Sequence, residues 1–253
     1  VPSKLIVFCH YYNEAYMLKW WLKHHYQLFD HGVMIDYGST DTSNKLIRQM
    51  APNWEIRKSR NKVFDIRGCD AEIMDFEREF NCWKMVLNTT EFLCVQNKAA
   101  FLSRLNKHGH SMYRTTGISM IDPLRPIYKD PSPSIPLVKQ RHHGIVQLES
   151  FFRDRFIHKC SNGAYGPGRH TSRNPDQAYL SGAYTLHFRF SPWNKEMIRR
   201  KLFIQTRIPQ SDKEKGWGKQ HFVTRTELEQ EYRKMAARTE DLRKRHDIRW
   251  IFE

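Results

Sequence analysis

Residues 10–41 read HYYNEAYMLKWWLKHHYQLFDHGVMIDYGSTD, and the change of pattern within them decides the fold. Just upstream, Leu5-Ile-Val-Phe-Cys9 is a continuous apolar run suited to a buried parallel strand. Asn13-Glu14 then opens a helical pattern, with Met17, Leu18, Trp21, Leu22 and Tyr26 at three- and four-residue spacing. His31 to Ile35 reads as a second strand, and Asp36-Tyr37-Gly38-Ser39-Thr40 is turn chemistry. Strand, helix and strand in this order make one βαβ unit.

The alternation continues outward. Thr42 to Met50 reads as a helix stopped by Ala51-Pro52, Trp54 to Arg57 as a short strand, and Asp70 to Phe80 as a helix after an Arg/Asp-rich loop. In WKMVLNTTEFLCV, Trp83 to Leu87 is strand-like, Asn88-Thr89-Thr90-Glu91 is a polar tetrad, and apolar character resumes over Phe92 to Val95. The expected class is therefore α/β, a mostly parallel sheet flanked by helices. Beyond residue 95 the periodicity weakens, and the proline-rich segment 122–136 reads as a long extended loop. Strand-like segments return at Gly144 to Leu148, Arg155 to His158 and Tyr184 to Phe190. Thr224 to His246 reads as a polar helix with Leu228, Tyr232, Met235 and Leu242 as its buried stripe. The expected organisation is a catalytic domain over 1–223, with a nucleotide-binding half at 1–95 and an acceptor-side half at 96–223, and a basic C-terminal helical extension at 224–253.

Composition narrows the function. With 253 residues, 40% of them hydrophobic, the chain can bury a core without staples. No apolar run reaches membrane-spanning length, so no transmembrane segment is expected, although peripheral contact with a membrane fits the charge. Five scattered cysteines without C-x-x-C spacing disfavour disulfides and a zinc cage; a reducing, cytoplasmic location is expected. The chain opens Val-Pro-Ser rather than with Met, which suggests a missing natural start. A net charge of +15, densest toward the C-terminal third, calls for a polyanionic partner: a phosphorylated small molecule, a headgroup surface or nucleic acid.

In an open α/β sheet ligands bind beyond the carboxyl ends of the strands. Three polar clusters fall there: Tyr11-Tyr12-Asn13-Glu14, Asp36 to Asp41, and Asn88 to Glu91. Asp41 can cap the following helix, but Asp36 ends a buried strand and needs a partner, for which a base or a ribose hydroxyl would serve. No G-x-G-x-x-G follows the first strand, and neither a P-loop nor a G-x-S-x-G elbow occurs.

Asn13-Glu14, Trp21-Leu22-Lys23-His24-His25 and Asp36-Tyr37-Gly38-Ser39-Thr40-Asp41, in this order, resemble the opening of GT-A glycosyltransferases of the family-2-like and family-92-like branch. The Tyr11-Tyr12-Asn13-Glu14 start is also similar to glycosyltransferase domains of large algal DNA viruses, which would place the chain in host cytoplasm. The resemblance implies a UDP-sugar donor and a carbohydrate hydroxyl acceptor. It places Tyr11, Tyr12, Asn13, Glu14, Asp36, Gly38 and Ser39 beside the nucleotide, with Asn88, Thr89 and Thr90 near the diphosphate. It also implies Mn²⁺ or Mg²⁺ held by a D-x-D at the end of the fourth strand. Here Asn88-Thr89-Thr90-Glu91 stands in that place, leaving Glu91 as the one carboxylate and His187 as a second ligand. Arg57, Arg60, Arg67 and Lys219 are the basic side chains that could replace the metal. As general base, Glu149, Asp176 and Asp212 are candidates, and Gly216 to His221 reads as a lid whose Lys219 or His221 reaches phosphate. Two other readings stand beside this one: a nucleic-acid-binding protein, for which no recognition motif is present, and a degenerate transferase that binds a nucleotide-sugar without turnover.

Overall fold

The computed structural model describes residues 4–146, 154–216 and 222–253. Its first half follows the expected alternation: β1 (Leu5–Tyr11), α1 (Ala15–His25), β2 (His31–Asp36), α2 (Ser43–Met50), β3 (Glu55–Lys58), α3 (Ile66–Glu77) and β4 (Trp83–Val86). Strands β3, β2, β1 and β4 pair side by side and parallel, with Tyr11 opposite Asp36 and Phe8 opposite Val86. Helices pack over these strands, so β1 and β2 are buried almost throughout and show unbroken apolar runs rather than alternation.

The second half holds β5 (Glu91–Val95), α4 (Lys98–Lys107), β6 (Met112–Ile121), the short α5 (Leu137–Gln140), β7 (His143–Val146), β8 (Arg155–His158), β9 (Gln177–Phe190), α6 (Lys195–Ile204), α7 (Gln210–Glu214), α8 (Arg225–Ala236) and β10 (Glu240–Asp241). Of these eleven, β5, β7, β8, β9 and α8 overlap the segments read as strand-like or helical, and the other six were not announced by periodicity. The main sheet runs β10-β7-β6-β8-β4-β1-β2-β3, with β9 joining β5 and β6. Pairings beyond β4 are antiparallel except β6 with β9, so the sheet is mixed α/β around a parallel core.

The expected C-terminal helix ends ten residues early. Thr224 caps α8 in a reciprocal box with Glu227, and the helix stops at Ala236. Leu228, Tyr232 and Ala236 bury themselves against Ile121 and Phe190, and β10 then adds to β7. This segment is thus part of the globule, with Leu242 in a 3-10 turn instead of on the helix.

The W-L-x-H-H segment is a staple between α1 and β5. The Trp21 indole donates to the Glu91 carbonyl at 2.9 Å, the His24 Nε2–H donates to the Leu93 carbonyl at 2.7 Å, and His25 Nε2 accepts the Leu93 N–H at 3.1 Å. Burial keeps the His25 imidazole neutral, lowering its pKa well below the usual value. Trp54 meets the Trp21 ring edge-on, and Gly32 leaves room for it: a Cβ there would lie 2.3 Å from the indole ring. Gly32→Ala is expected to cost about 1–3 kcal/mol through overpacking, read as a lower urea midpoint with an unchanged m-value.

Candidate functional site

The ends of β1 and β2 carry loops that are sewn to each other. Asn13, with positive φ of 52°, accepts the backbone N–H groups of Thr40 and Asp41 at 2.8 and 3.2 Å. Ser39 Oγ accepts the Asn13 N–H, Ser43 Oγ accepts the Glu14 N–H, and Asp41 accepts those of Ala15 and Ser43. Asp36 completes the knot, accepting the Ser39 N–H at 2.8 Å and the Asn44 amide at 2.9 Å, while the Tyr11 hydroxyl donates to the same Asn44. Each buried polar group here finds its partner within the chain.

Beyond these ends lies a cleft of about 320 Å³. Tyr11 to Glu14 from β1, Tyr37 from β2 and Asn88 to Glu91 after β4 line it, as expected of three adjacent strand ends. The opposite wall comes from distant segments: Arg155 on β8, the turn Gly168-Arg169-His170, His187 and Arg189 on β9, and the 199–207 region of α6 and its exit.

An ion pair forms the floor. Arg155 donates to both oxygens of Glu91, at 2.5 and 2.8 Å, and to the carbonyls of Gly168 and Arg169, with both side chains about 2% exposed. Burial alone would raise the Glu91 pKa; the Arg155 charge overcomes it and holds the carboxyl well below the usual range. Arg169 pairs with Asp70 and donates to Asn88 Oδ1 at 2.9 Å. Its backbone is left-handed (φ 61°), a conformation that a non-glycine residue keeps only where its surroundings enforce it. Arg200 binds Glu14 at 2.6 Å and reaches Thr89 Oγ1 at 3.4 Å. Arg207 lies 4.2 Å over the Tyr12 ring, whose other neighbour is the parallel ring of Phe203. Among the described lining residues, seven Lys and Arg face four carboxylates, and each of the four is already in an ion pair with arginine.

His10, near the end of β1, also lines the cleft. Its Nε2–H donates to buried Glu72 at 2.8 Å, and burial holds its pKa below the usual value despite that carboxylate. The imidazole is therefore neutral with a bare Nδ1, which finds no hydrogen-bond partner among the described residues.

The donor set expected for Mn²⁺ or Mg²⁺ does not fit a divalent cation. Glu91 is clamped by Arg155, Asn88 by Arg169 and Thr89 by Arg200, so positive charge already stands at each oxygen the ion would need. Among the described residues, the one group of His, Cys, Asp or Glu close enough for a metal is His142, His143 and Asp241, outside the cleft at the β7–β10 edge. There the Tyr128 hydroxyl bridges the two imidazoles and Arg243 covers Asp241.

The structure thus brings Tyr11, Tyr12, Asn13, Glu14, Asn88, Thr89, Thr90, Glu91 and His187 into one cleft. Asp36, Gly38 and Ser39 do not line it: they hold the loops behind it. Arg60 points elsewhere, paired with Asp75, and Arg57 is paired with Glu55 and Glu79. Asp212 is buried on α7 and does not line the cleft, and Asp176 binds His110 and the Ser111 N–H. Glu149, Lys219 and His221 lie outside the described residues. Sequence reasoning missed Arg155, Arg200 and Arg207. One signal was available for Arg155: a guanidinium opening the four-residue strand Arg155–His158 that is buried throughout must have a charged partner.

No protein-family model matches the chain, and no curated protein matches it. Among solved structures it is similar to S. aureus TarS 1-349, at 13% identity and TM-score 0.43, covering 81% of this chain and 65% of that one. The complex of TarS 1-349 with UDP-GlcNAc matches at 11% identity and TM-score 0.42, covering 81% and 66%. The chain therefore spans less than two thirds of these structures, and they lend the viral likeness no support. No helix among the described residues is long and apolar enough to cross a membrane.

Proposed function

We propose that the protein is a GT-A-type glycosyltransferase that binds a UDP-sugar in this cleft and transfers the sugar to a carbohydrate hydroxyl. The observation that carries the reading is the convergence of the β1, β2 and β4 ends on one cation-rich cleft. Strand order reverses at β1, with β2 and β3 on one side and β4 on the other, and such a switch point is where open α/β sheets bind nucleotides. A volume of about 320 Å³ falls in the range of small-molecule sites. The arginines that line the cleft, Arg207 among them held against Tyr12, stabilise the charge that develops on a departing diphosphate. Arginines hold the Asn88 Oδ1 and Thr89 Oγ1 acceptors, which leaves the Asn88 amide N–H and the Thr89 hydroxyl to donate to that diphosphate.

One feature favours a second reading, binding without turnover. Every carboxylate among the described lining residues is engaged by arginine, so none is left as a strong general base. Thermal shift with a nucleotide panel, followed by UDP release from UDP-sugars with glycan acceptors, separates the readings. UDP is expected to raise the melting temperature while ADP does not, and UDP release is expected to depend on acceptor. A shift by UDP without any release supports the second reading. Salt-sensitive DNA binding with no nucleotide effect would reject both.

A further inference from the structure

We infer that the cleft neutralises the diphosphate of its ligand with guanidinium groups and works without a divalent cation, Arg169 and Arg207 being the groups that meet the phosphates. This rests on the reading of the cleft as a diphosphate site. Three independent features of the chain lead to it.

First, the place of the metal is taken. The buried Arg155–Glu91 pair stands under the strand-end tetrad, and removing a carboxylate from such a pair to serve a metal would leave a buried guanidinium uncompensated. Second, the arginine that holds Asn88 still has a donor to give. The Nε–H of Arg169 is buried and finds no acceptor among the described residues, although the same side chain binds Asp70 and Asn88. A buried donor left unmet is destabilising, and an anionic oxygen in the cleft would satisfy it. Third, Arg207 has no carboxylate partner among the described residues, and it lines the cleft with its charge held over Tyr12. A guanidinium fixed against an aromatic ring and not neutralised by a carboxylate suits the phosphates of a nucleoside diphosphate.

The division of labour differs from a metal site. A divalent ion gathers oxygens from protein and ligand around one point, whereas Arg155 stabilises the floor, Arg169 and Arg200 fix Asn88 and Thr89, and Arg207 supplies charge from the other wall. Forked guanidinium groups match phosphate oxygens in pairs, so the bound geometry can be set without a shared ion.

The test is calorimetric titration of the full chain with UDP and, separately, with inorganic pyrophosphate, each in excess EDTA and in Mn²⁺. UDP is expected to bind with dissociation constants that agree within about twofold in the two media. Binding that appears only with Mn²⁺, or tightens about tenfold or more with it, overturns this inference and leaves the nucleotide reading standing. Pyrophosphate bound in EDTA with no UDP binding supports the metal-free anion site and overturns the nucleotide reading. No binding of either in EDTA overturns the inference. Arg207→Gln is expected to weaken UDP about tenfold in EDTA, with Arg207→Lys recovering part of it, because the charge but not the fork returns. An unchanged affinity in a folded Arg207→Gln protein overturns the assignment of Arg207.

Discussion

Arg155→Met is expected to destabilise the protein by about 3–5 kcal/mol, because it leaves the Glu91 carboxylate buried without its counter-charge. At roughly 2–4 °C per kcal/mol for a chain of this size, the melting temperature should fall by about 10 °C. The loss has a direction in pH. In the wild type the Glu91 pKa is depressed, so its contribution is fully present above the ordinary carboxylate range and is lost only as pH falls toward the depressed value. In the variant, Glu91 relieves its burial by taking up a proton, so the difference between the two proteins should narrow as pH is lowered from 7 toward 4. Joint replacement, Arg155→Met with Glu91→Leu, should recover part of the loss, since an apolar pair carries no desolvation penalty. Recovery stays incomplete because Arg155 also holds the Gly168 and Arg169 carbonyls. A single variant as stable as wild type at pH 7 would show that the pair contributes nothing.

The same pair shows what could be read from the chain in advance. The βαβ half announced itself because each of its strands is either a short apolar run or bounded by turn residues, and because α1 carries a complete apolar stripe. The expectation that three strand ends share one cleft needed only the order of those strands. The other half was less legible for physical reasons. Strand β6 is a central strand with its C-terminal half buried on both faces, so Met112–Ile121 shows no alternation to distinguish it from a loop. Helix α4 buries only Phe101 and Leu105, too few to mark a period. The polar loops misled in the other direction. Asp36 and Ser39 were expected to face a ligand, and the backbone N–H groups of two neighbouring turns claimed them instead. The partners of the arginines were illegible because charge compensation is a long-range event: Arg155 is 64 residues from Glu91 and Arg200 is 186 from Glu14. Composition announced the surplus of positive charge without saying which side chains would gather at the cleft.

Glu77 supports the largest effect expected away from the cleft. It ends α3, fully buried, and accepts from His158 Nε2 at 2.9 Å, the Tyr165 hydroxyl at 2.9 Å and the Gly163 N–H at 2.7 Å. Beside it the Lys84 ammonium donates to the carbonyls of Glu77, Phe80 and Ser161. Glu77→Leu keeps the volume but removes the acceptor of three buried donors. Tyr165 Oη and His158 Nε2, 3.0 Å apart, can still pair with each other, which leaves the Gly163 N–H and one proton of that pair unmet. At about 1–3 kcal/mol each, a loss of at least ~2 kcal/mol is expected in urea titration. Glu77→Gln retains an acceptor and should lose less. The two components of the loss separate by pH. Burial opposes protonation of His158, but Cys160 and Glu77 beside it outweigh burial and raise its pKa. The charged part of the interaction is therefore fully present below the ordinary histidine pKa and disappears as pH rises through the raised value. The stability difference between wild type and Glu77→Leu should accordingly shrink above that point to the part due to the neutral hydrogen bonds alone. An NMR titration of the His158 ring provides the check, since its midpoint should move down in Glu77→Gln. A midpoint that does not move would mean that the Glu77 carboxylate does not hold the imidazolium, leaving only the hydrogen-bond part of the expected loss.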